Sequence, residues 1–238
     1  MNRTKRAIKL AGALAISFGA MAQAHAVAVA AICNDLACSG GDDLIVQDNA
    51  AGDALGALGA IGISTSAFGY SIAVDTVQSK PVLGSASAPQ LDLTFTATTS
   101  SATPASIFLY ASDIDFTTGG SFLLGIGGTN SGDSGTVTGR AWGGTSDAAL
   151  QFSGANLIRS SGALAGAVYS ASAEGLFSPV VNPYSLTIGV AISRSSAGTS
   201  TGDLNLQVAA IPEPETYALM LAGIGVLGFV ARRRKGDA

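Results

Sequence analysis

Histidine is nearly missing from this chain of 238 residues: it occurs once, at His25. A serine triad needs an imidazole to take the nucleophile's proton, so that chemistry has one base to draw on or none. Cysteine occurs twice, at Cys33 and Cys38, too few for a zinc site without ligands from elsewhere. With one tryptophan, Trp142, and five tyrosines, the aromatic platform on which sugar rings stack is thin. Positive charge is scarcest where it would matter most. Of 12 Lys and Arg, eight sit at the two ends, leaving Lys80, Arg140, Arg159 and Arg194 to face 13 acidic residues in the body. The body therefore carries a net charge of about −9, against −4 for the whole chain, which argues against nucleic acid and anionic lipid as its partners.

What is present begins with the N-terminus, MNRTKRAIKLAGALAISFGAMAQAHAVAVA. Four basic residues (Arg3, Lys5, Arg6, Lys9) precede an apolar stretch from about Leu10 to Met21 and then the small-residue sites Ala22-Gln23-Ala24 and Ala24-His25-Ala26. That is the order of a secretory signal peptide, with cleavage expected after Ala26 and His25 lost with it. The competing reading, an uncleaved anchor, requires a longer apolar stretch. Export implies an oxidising compartment, and Cys33 and Cys38 in ICNDLACSGGDD are close enough to close a small disulfide loop worth about 2 kcal/mol by loop entropy. A redox pair would more usually be C-x-x-C, and half a zinc site would need further ligands.

The C-terminus reads IPEPETYALMLAGIGVLGFVARRRKGDA. Tyr217 to Ala231 is an apolar run of about 22 Å if helical, short against a hydrocarbon core of about 30 Å. Behind it, Arg232, Arg233, Arg234 and Lys235 resist translocation and stay cytoplasmic, which leaves the body outside. In front of it, Pro212 and Pro214 lack backbone donors and push the residues before them toward extended geometry, so Pro212-Glu213-Pro214 is presented as a stiff strip beside the membrane. The Pro-Glu-Pro motif, the apolar run and the basic cluster resemble the PEP-CTERM sorting signal of Gram-negative bacteria. The resemblance implies that the tail is held in the inner membrane, cut near Pro-Glu-Pro by the membrane protease exosortase, and removed as the protein moves to the cell surface or extracellular matrix. It also implies an association with exopolysaccharide or biofilm. The body is similar to an uncharacterised group of PEP-CTERM exported proteins with an early Cys pair and an acidic DNAAGD stretch, a group that brings no activity with it.

Three motifs that look chemical are better read as structure. Gly223 to Gly228 matches G-x-G-x-x-G but lies in the apolar tail, without a preceding strand. Gly198-Thr199-Ser200-Thr201-Gly202 matches a nucleophile elbow and Gly132-Asp133-Ser134-Gly135 a serine-protease loop; without an imidazole both read as Gly/Ser turns between strands. Carboxylates remain. Asp42, Asp43, Asp48 and Asp53 crowd GGDDLIVQDNAAGD, and Asp113-Ile114-Asp115 puts two acids on one side of an extended segment. These six are the calcium candidates, although the alternating acids and closing Glu of an EF-hand are missing, and a solvated acidic surface is the competing reading. No other cofactor is expected. A glycosidase would need Asp113 or Asp115 in a concave pocket about 5 to 10 Å from a second acid.

Period-two alternation carries the fold. It is clear in LDLTFTAT, where Leu91, Leu93, Phe95 and Ala97 oppose Asp92, Thr94, Thr96 and Thr98, and it recurs in YSLTIGVAIS, DLNLQVA and YSIAVDT. Ser106 to Ser112, Ser121 to Gly127, Gly135 to Trp142 and Gly166 to Ala173 are shorter candidates. The only helix-like stretches are the two termini and Asn49 to Ala60, weakened by its glycines. The expectation is an all-β protein: a single antiparallel β-sandwich over 27–211, jelly-roll-like or Ig-like, flanked by a signal helix over 1–26 and a sorting signal with a transmembrane helix over 212–238. Its expected role is a non-enzymatic surface or matrix protein. The alternative is a carbohydrate-binding β-sandwich module, with or without calcium dependence.

Overall fold

Alternating sequences become strands wherever Gly, Ser and Asn clusters let the chain reverse. At Phe68-Gly69 both residues adopt positive φ, 53° and 81°, the two-residue reversal whose twist matches that of antiparallel strands. The computed structural model describes residues 27–102, 104–131, 135–209 and 222–224. The predicted signal segment with Ala26, the Pro212-Glu213-Pro214 motif, Tyr217, Ala231 and the basic cluster lie outside the described residues, as do Gly132, Asp133 and Ser134. Among the described residues no helix is long and apolar enough to cross a membrane.

The described strands are β1 (Val29–Cys33), β2 (Leu44–Gln47), β3 (Ala60–Ala67), β4 (Tyr70–Gln78), β5 (Gln90–Thr99), β6 (Ile107–Phe116), β7 (Gly120–Asn130), β8 (Gly135–Gly143), β9 (Leu157–Ser160), β10 (Leu164–Ala165), β11 (Val168–Phe177), β12 (Tyr184–Arg194) and β13 (Gly198–Val208). They form two antiparallel sheets, packed as a sandwich. The first runs β10-β8-β12-β6-β1-β2 with β9 also on β8, and the second runs β11-β7-β13-β5-β4-β3. From β5 onward successive long strands alternate between the sheets, so β13 lies between β5 and β7 while β12 lies between β6 and β8. Of the two connectivities expected, this wrapped one is the jelly roll's.

The apolar sides of both sheets meet in one core. Leu91, Leu93, Phe95 and Ala97 of β5 are buried, as are Tyr184, Leu186, Ile188, Val190 and Ile192 of β12, in agreement with their alternation. The outer faces differ. On the first sheet, Ser112, Ser185 and Thr187 are buried although they point away from the core, because the segment after β8 lies across them. Gly144 N donates to Ser185 O (2.7 Å) and Leu150 N to Ser112 Oγ (2.9 Å), and Phe152 packs on Tyr110 with ring centroids 4.5 Å apart. Tyr110 needs a seat: a Cβ on Gly189 would collide with its ring. The disulfide Cys33–Cys38, with Cα atoms 5.2 Å apart, joins this second apolar cluster beside Trp142. The outer face of the second sheet stays open over β5, β13 and β7, while Leu55 lies over Gly62 at its β3 end.

Two expectations are corrected. Asn49 to Ala60 is a series of turns and not a helix, because Asp53 accepts from Asn49 N (2.9 Å), Leu55 N (2.9 Å) and Gly62 N (3.0 Å) and so holds the backbone in a closed loop. Gly198 to Gly202 is the first half of β13 and not a turn: its alternate residues Thr199 and Thr201 pair with Thr98 and Thr96 across the sheet.

Candidate functional site

The open face of the second sheet is built from positions that alternation alone assigns outward. β5 contributes Asp92, Thr94, Thr96 and Thr98, and β13 contributes Thr199, Thr201, Asp203 and Asn205. Register sets Thr98 against Thr199, Thr96 against Thr201 and Thr94 against Asp203. The hydroxyls link laterally: Thr98 with Thr199 (2.9 Å), Thr129 of β7 with Thr201 (2.8 Å), and Thr94 Oγ1 donating to Asp203 Oδ2 (3.0 Å). On β7, Gly125 and Gly127 carry no side chain, so a bare strip separates this array from Ser170, Ser172 and Glu174 on β11. Asp92 and Asp203 crowd one another here. Partial burial first, and then the negative charge of Asp203, push the Asp92 carboxyl up to about 6, with Thr94 pulling the other way.

The six acids singled out from sequence are spread over separate tasks. Asp42 is exposed. Asp43 Oδ2 accepts from Gly40 N (2.8 Å) just after the disulfide loop. Asp48 accepts from Gly59 N (2.7 Å) and Asn49 Nδ2 (2.9 Å), and with Asp53 it closes the loop between β2 and β3. Burial raises the Asp48 carboxyl above its usual range, against the Gly59 N–H that lowers it. Asp113 and Asp115 do not act as a pair: each has its own partner. Asp113 is wholly buried, with Lys80 Nζ at 2.7 Å, Ser79 Oγ at 2.5 Å and Ile114 N at 2.8 Å. Asp115 sits at φ 60° beside Asp147, whose Oδ1 accepts from Asp115 N at 2.8 Å. Burial and then the charge of Asp147 raise the Asp115 carboxyl. A carboxylate already neutralised by an ammonium, as at Asp113, offers little to a divalent cation.

The sulfurs of Cys33 and Cys38 and a carboxylate oxygen of Asp43 lie within 4.8 Å of one another, but the sulfurs are bonded to each other. Ser200, the centre of the elbow-like motif, is buried; it donates to Asn130 Oδ1 (2.7 Å) and accepts from Arg194 Nη1 (3.0 Å), a structural contact between β12, β13 and β7. A shallow depression of about 320 Å³ is lined by Leu55, Gly62, Ser64, Ala73 and Asp75 among others, and contains neither Asp113 nor Asp115. Sequence reasoning missed Lys80, Asp92, Asp147 and Asp203 as site residues. Asp92 and Asp203 were legible as outward positions, but nothing local told that they meet.

Comparison with known proteins bears on the end of the chain. Residues 210–235 match the PEP-CTERM protein-sorting motif. No curated protein matches the sequence. Among solved structures, the chain overlaps the carbohydrate-binding module TmCBM61 in complex with β-1,4-galactotriose at 10% identity and TM-score 0.35, over 62% of this chain and 85% of that one. It overlaps the enzymatically active domain of tailspike protein 4 of bacteriophage CBA120 at 13% identity and TM-score 0.35, over 63% of this chain and 19% of that one. It overlaps the mannan-recognising module TmCBM27 at 12% identity and TM-score 0.30, over 56% of this chain and 84% of that one. Overlaps this loose carry no argument about function.

Proposed function

We propose that this chain, which carries a PEP-CTERM protein-sorting motif, is an exported protein cut by exosortase near Pro212-Glu213-Pro214. Outside the cell its sandwich serves as a non-enzymatic matrix protein that rests the open face of its second sheet on extracellular polysaccharide. The observation that carries the reading is the junction: β13 ends at Val208 and the sorting motif begins at residue 210, so the sandwich is the cargo that the motif delivers. Its carboxylates support a structural role, since Asp48, Asp53 and Asp113 are engaged by backbone N–H groups or by Lys80. The open face supports the ligand class: rows of hydroxyls and carboxylates match sugar hydroxyls, and many weak contacts along a polymer add through effective concentration.

The test is retention of the purified protein on the host's own extracellular polysaccharide, run in EDTA and again with calcium. The wild type is expected to be retained in both, and Thr96→Ala/Thr201→Ala/Asp203→Ala, which alters only outward positions, to lose at least tenfold in apparent affinity. Equal retention of wild type and variant would overturn the assignment of this face. Retention only with calcium would replace it with a calcium-dependent module.

A further inference from the structure

Among the described residues the sandwich has four sheet edges, and three are guarded. β2 is only four residues long, and β9 and β10 are four and two. β3 is bulged between Ile61 and Ile63, and the preceding loop lies along it, with Ala54 N donating to Gly62 O (2.8 Å) and Gly62 N to Asp53 Oδ1 (3.0 Å). β11 has none of these devices. It runs for ten residues, VYSASAEGLF, without Lys or Pro, and pairs with β7 on one side only. Apart from the single exposed charge of Glu174, it is a long edge of the kind that templates another strand.

The register of β11 on β7 decides which of its backbone groups are left over. Asn130 N donates to Ala167 O (3.0 Å), and Val168 stands opposite Thr129. Hydrogen-bonded pairs alternate along an antiparallel ladder, so Tyr169, Ala171, Ala173, Gly175 and Phe177 point their N–H and C=O toward β7. Val168, Ser170, Ser172, Glu174 and Leu176 point theirs at the free edge. Two of these are the most exposed large apolar residues of the described body beside Val180: Val168 at 77% and Leu176 at 82%.

We propose that the partner of this edge is a second copy of the same strand, antiparallel, about a two-fold axis at Ser172. That register sets Val168 against the partner's Leu176 and Ser170 against the partner's Glu174, twice each, with Ser172 facing Ser172 of the partner subunit. All five outward residues then exchange both backbone hydrogen bonds. The two exposed apolar side chains cover one another across the joint, and each Glu174 carboxylate meets a hydroxyl. A register centred on Glu174 sets like charges face to face, and any other register shortens the ladder. The result joins the second sheets of two copies into one, on an edge adjoining the hydroxyl-rich face. The pairing rests on this edge alone and not on the proposed function, so failure of polysaccharide retention leaves it standing.

Cysteine crosslinking reads the register directly, because the native cysteines Cys33 and Cys38 are bonded to each other. Cα atoms of a hydrogen-bonded antiparallel pair lie about 5.5 Å apart, within disulfide range. The full chain in detergent solution is oxidised and run without reductant. Ser172→Cys is expected to give most of the chain as a disulfide dimer. Ser170→Cys and Glu174→Cys, each offset from its own copy by about 14 Å along the strand, are expected to stay at the wild-type background. An equimolar mixture of Ser170→Cys and Glu174→Cys chains should crosslink, at least tenfold above either alone. No dimer from Ser172→Cys together with none from the mixture would overturn the proposal, as would equal crosslinking at all three positions.

Discussion

Replacing Asp113 with alanine is expected to destabilise the protein by about 3 to 5 kcal/mol, because it strands a buried ammonium. Lys80 lies in the loop after β4 of the second sheet and is 3% exposed; Asp113 lies on β6 of the first and is 0% exposed. Their 2.7 Å contact therefore clamps the two sheets together at one end of the core. Lys80 also donates to Ile114 O and sits 4.4 Å from the centre of the Phe116 ring, while Asp113 receives Ser79 Oγ and Ile114 N. Neither charge has water to fall back on. Lys80→Met should have a comparable effect by stranding the carboxylate, whereas Lys80→Met/Asp113→Leu, which removes both charges, should recover most of the loss. Urea unfolding followed by Trp142 fluorescence measures all three. Single variants within 1 kcal/mol of wild type would mean that water reaches the pair.

Tyr110→Ala is expected to be about as damaging, again about 3 to 5 kcal/mol, for a different reason. The Tyr110 ring is 1% exposed although it faces away from the main core, and it holds down two segments at once. It packs on Phe152 and lies 6.0 Å from Trp142, and its hydroxyl donates to Leu36 O (2.7 Å) in the disulfide loop. Without it the segment after β8 loses its anchor and Ser112, Ser185 and Thr187 are left under a loose cover. Stability and Trp142 emission should move together, the emission shifting to the red as Trp142 gains water. A destabilised variant with unshifted emission would show that the cover stays closed without Tyr110.

The strands most legible in the sequence are those with one wet side. β5 declares itself because Asp92, Thr94, Thr96 and Thr98 alternate with buried Leu91, Leu93, Phe95 and Ala97. β1 escapes because all five of its residues are buried, leaving no alternation to separate VAAIC from the apolar sequence before it. β3 escapes because the glycines and alanines before it imitate a weak helix, while the loop is in fact fixed by Asp53. Ser185 and Thr187 were legible as the outer side of β12, yet their burial depends on the segment after β8, which brings Gly144 N and Ser146 O to Ser185 and Leu150 N to the Ser112 hydroxyl that bonds Thr187. The site residues show the same limit: Thr94 and Asp203 meet across 109 positions, and Lys80 and Asp113 across 33. Local pattern assigns a side chain to a face; only register and sheet order decide what it meets there.

The sorting of the sandwich is tested most directly by the intact mass of the protein recovered from the surface and medium of its native host, compared with a strain lacking exosortase. The expected result is a species beginning near Val27 and ending near Pro212, found only when the protease is present. A mass that retains Arg232 to Lys235 in both strains would contradict it, making the tail a permanent anchor and the sandwich a membrane-tethered protein.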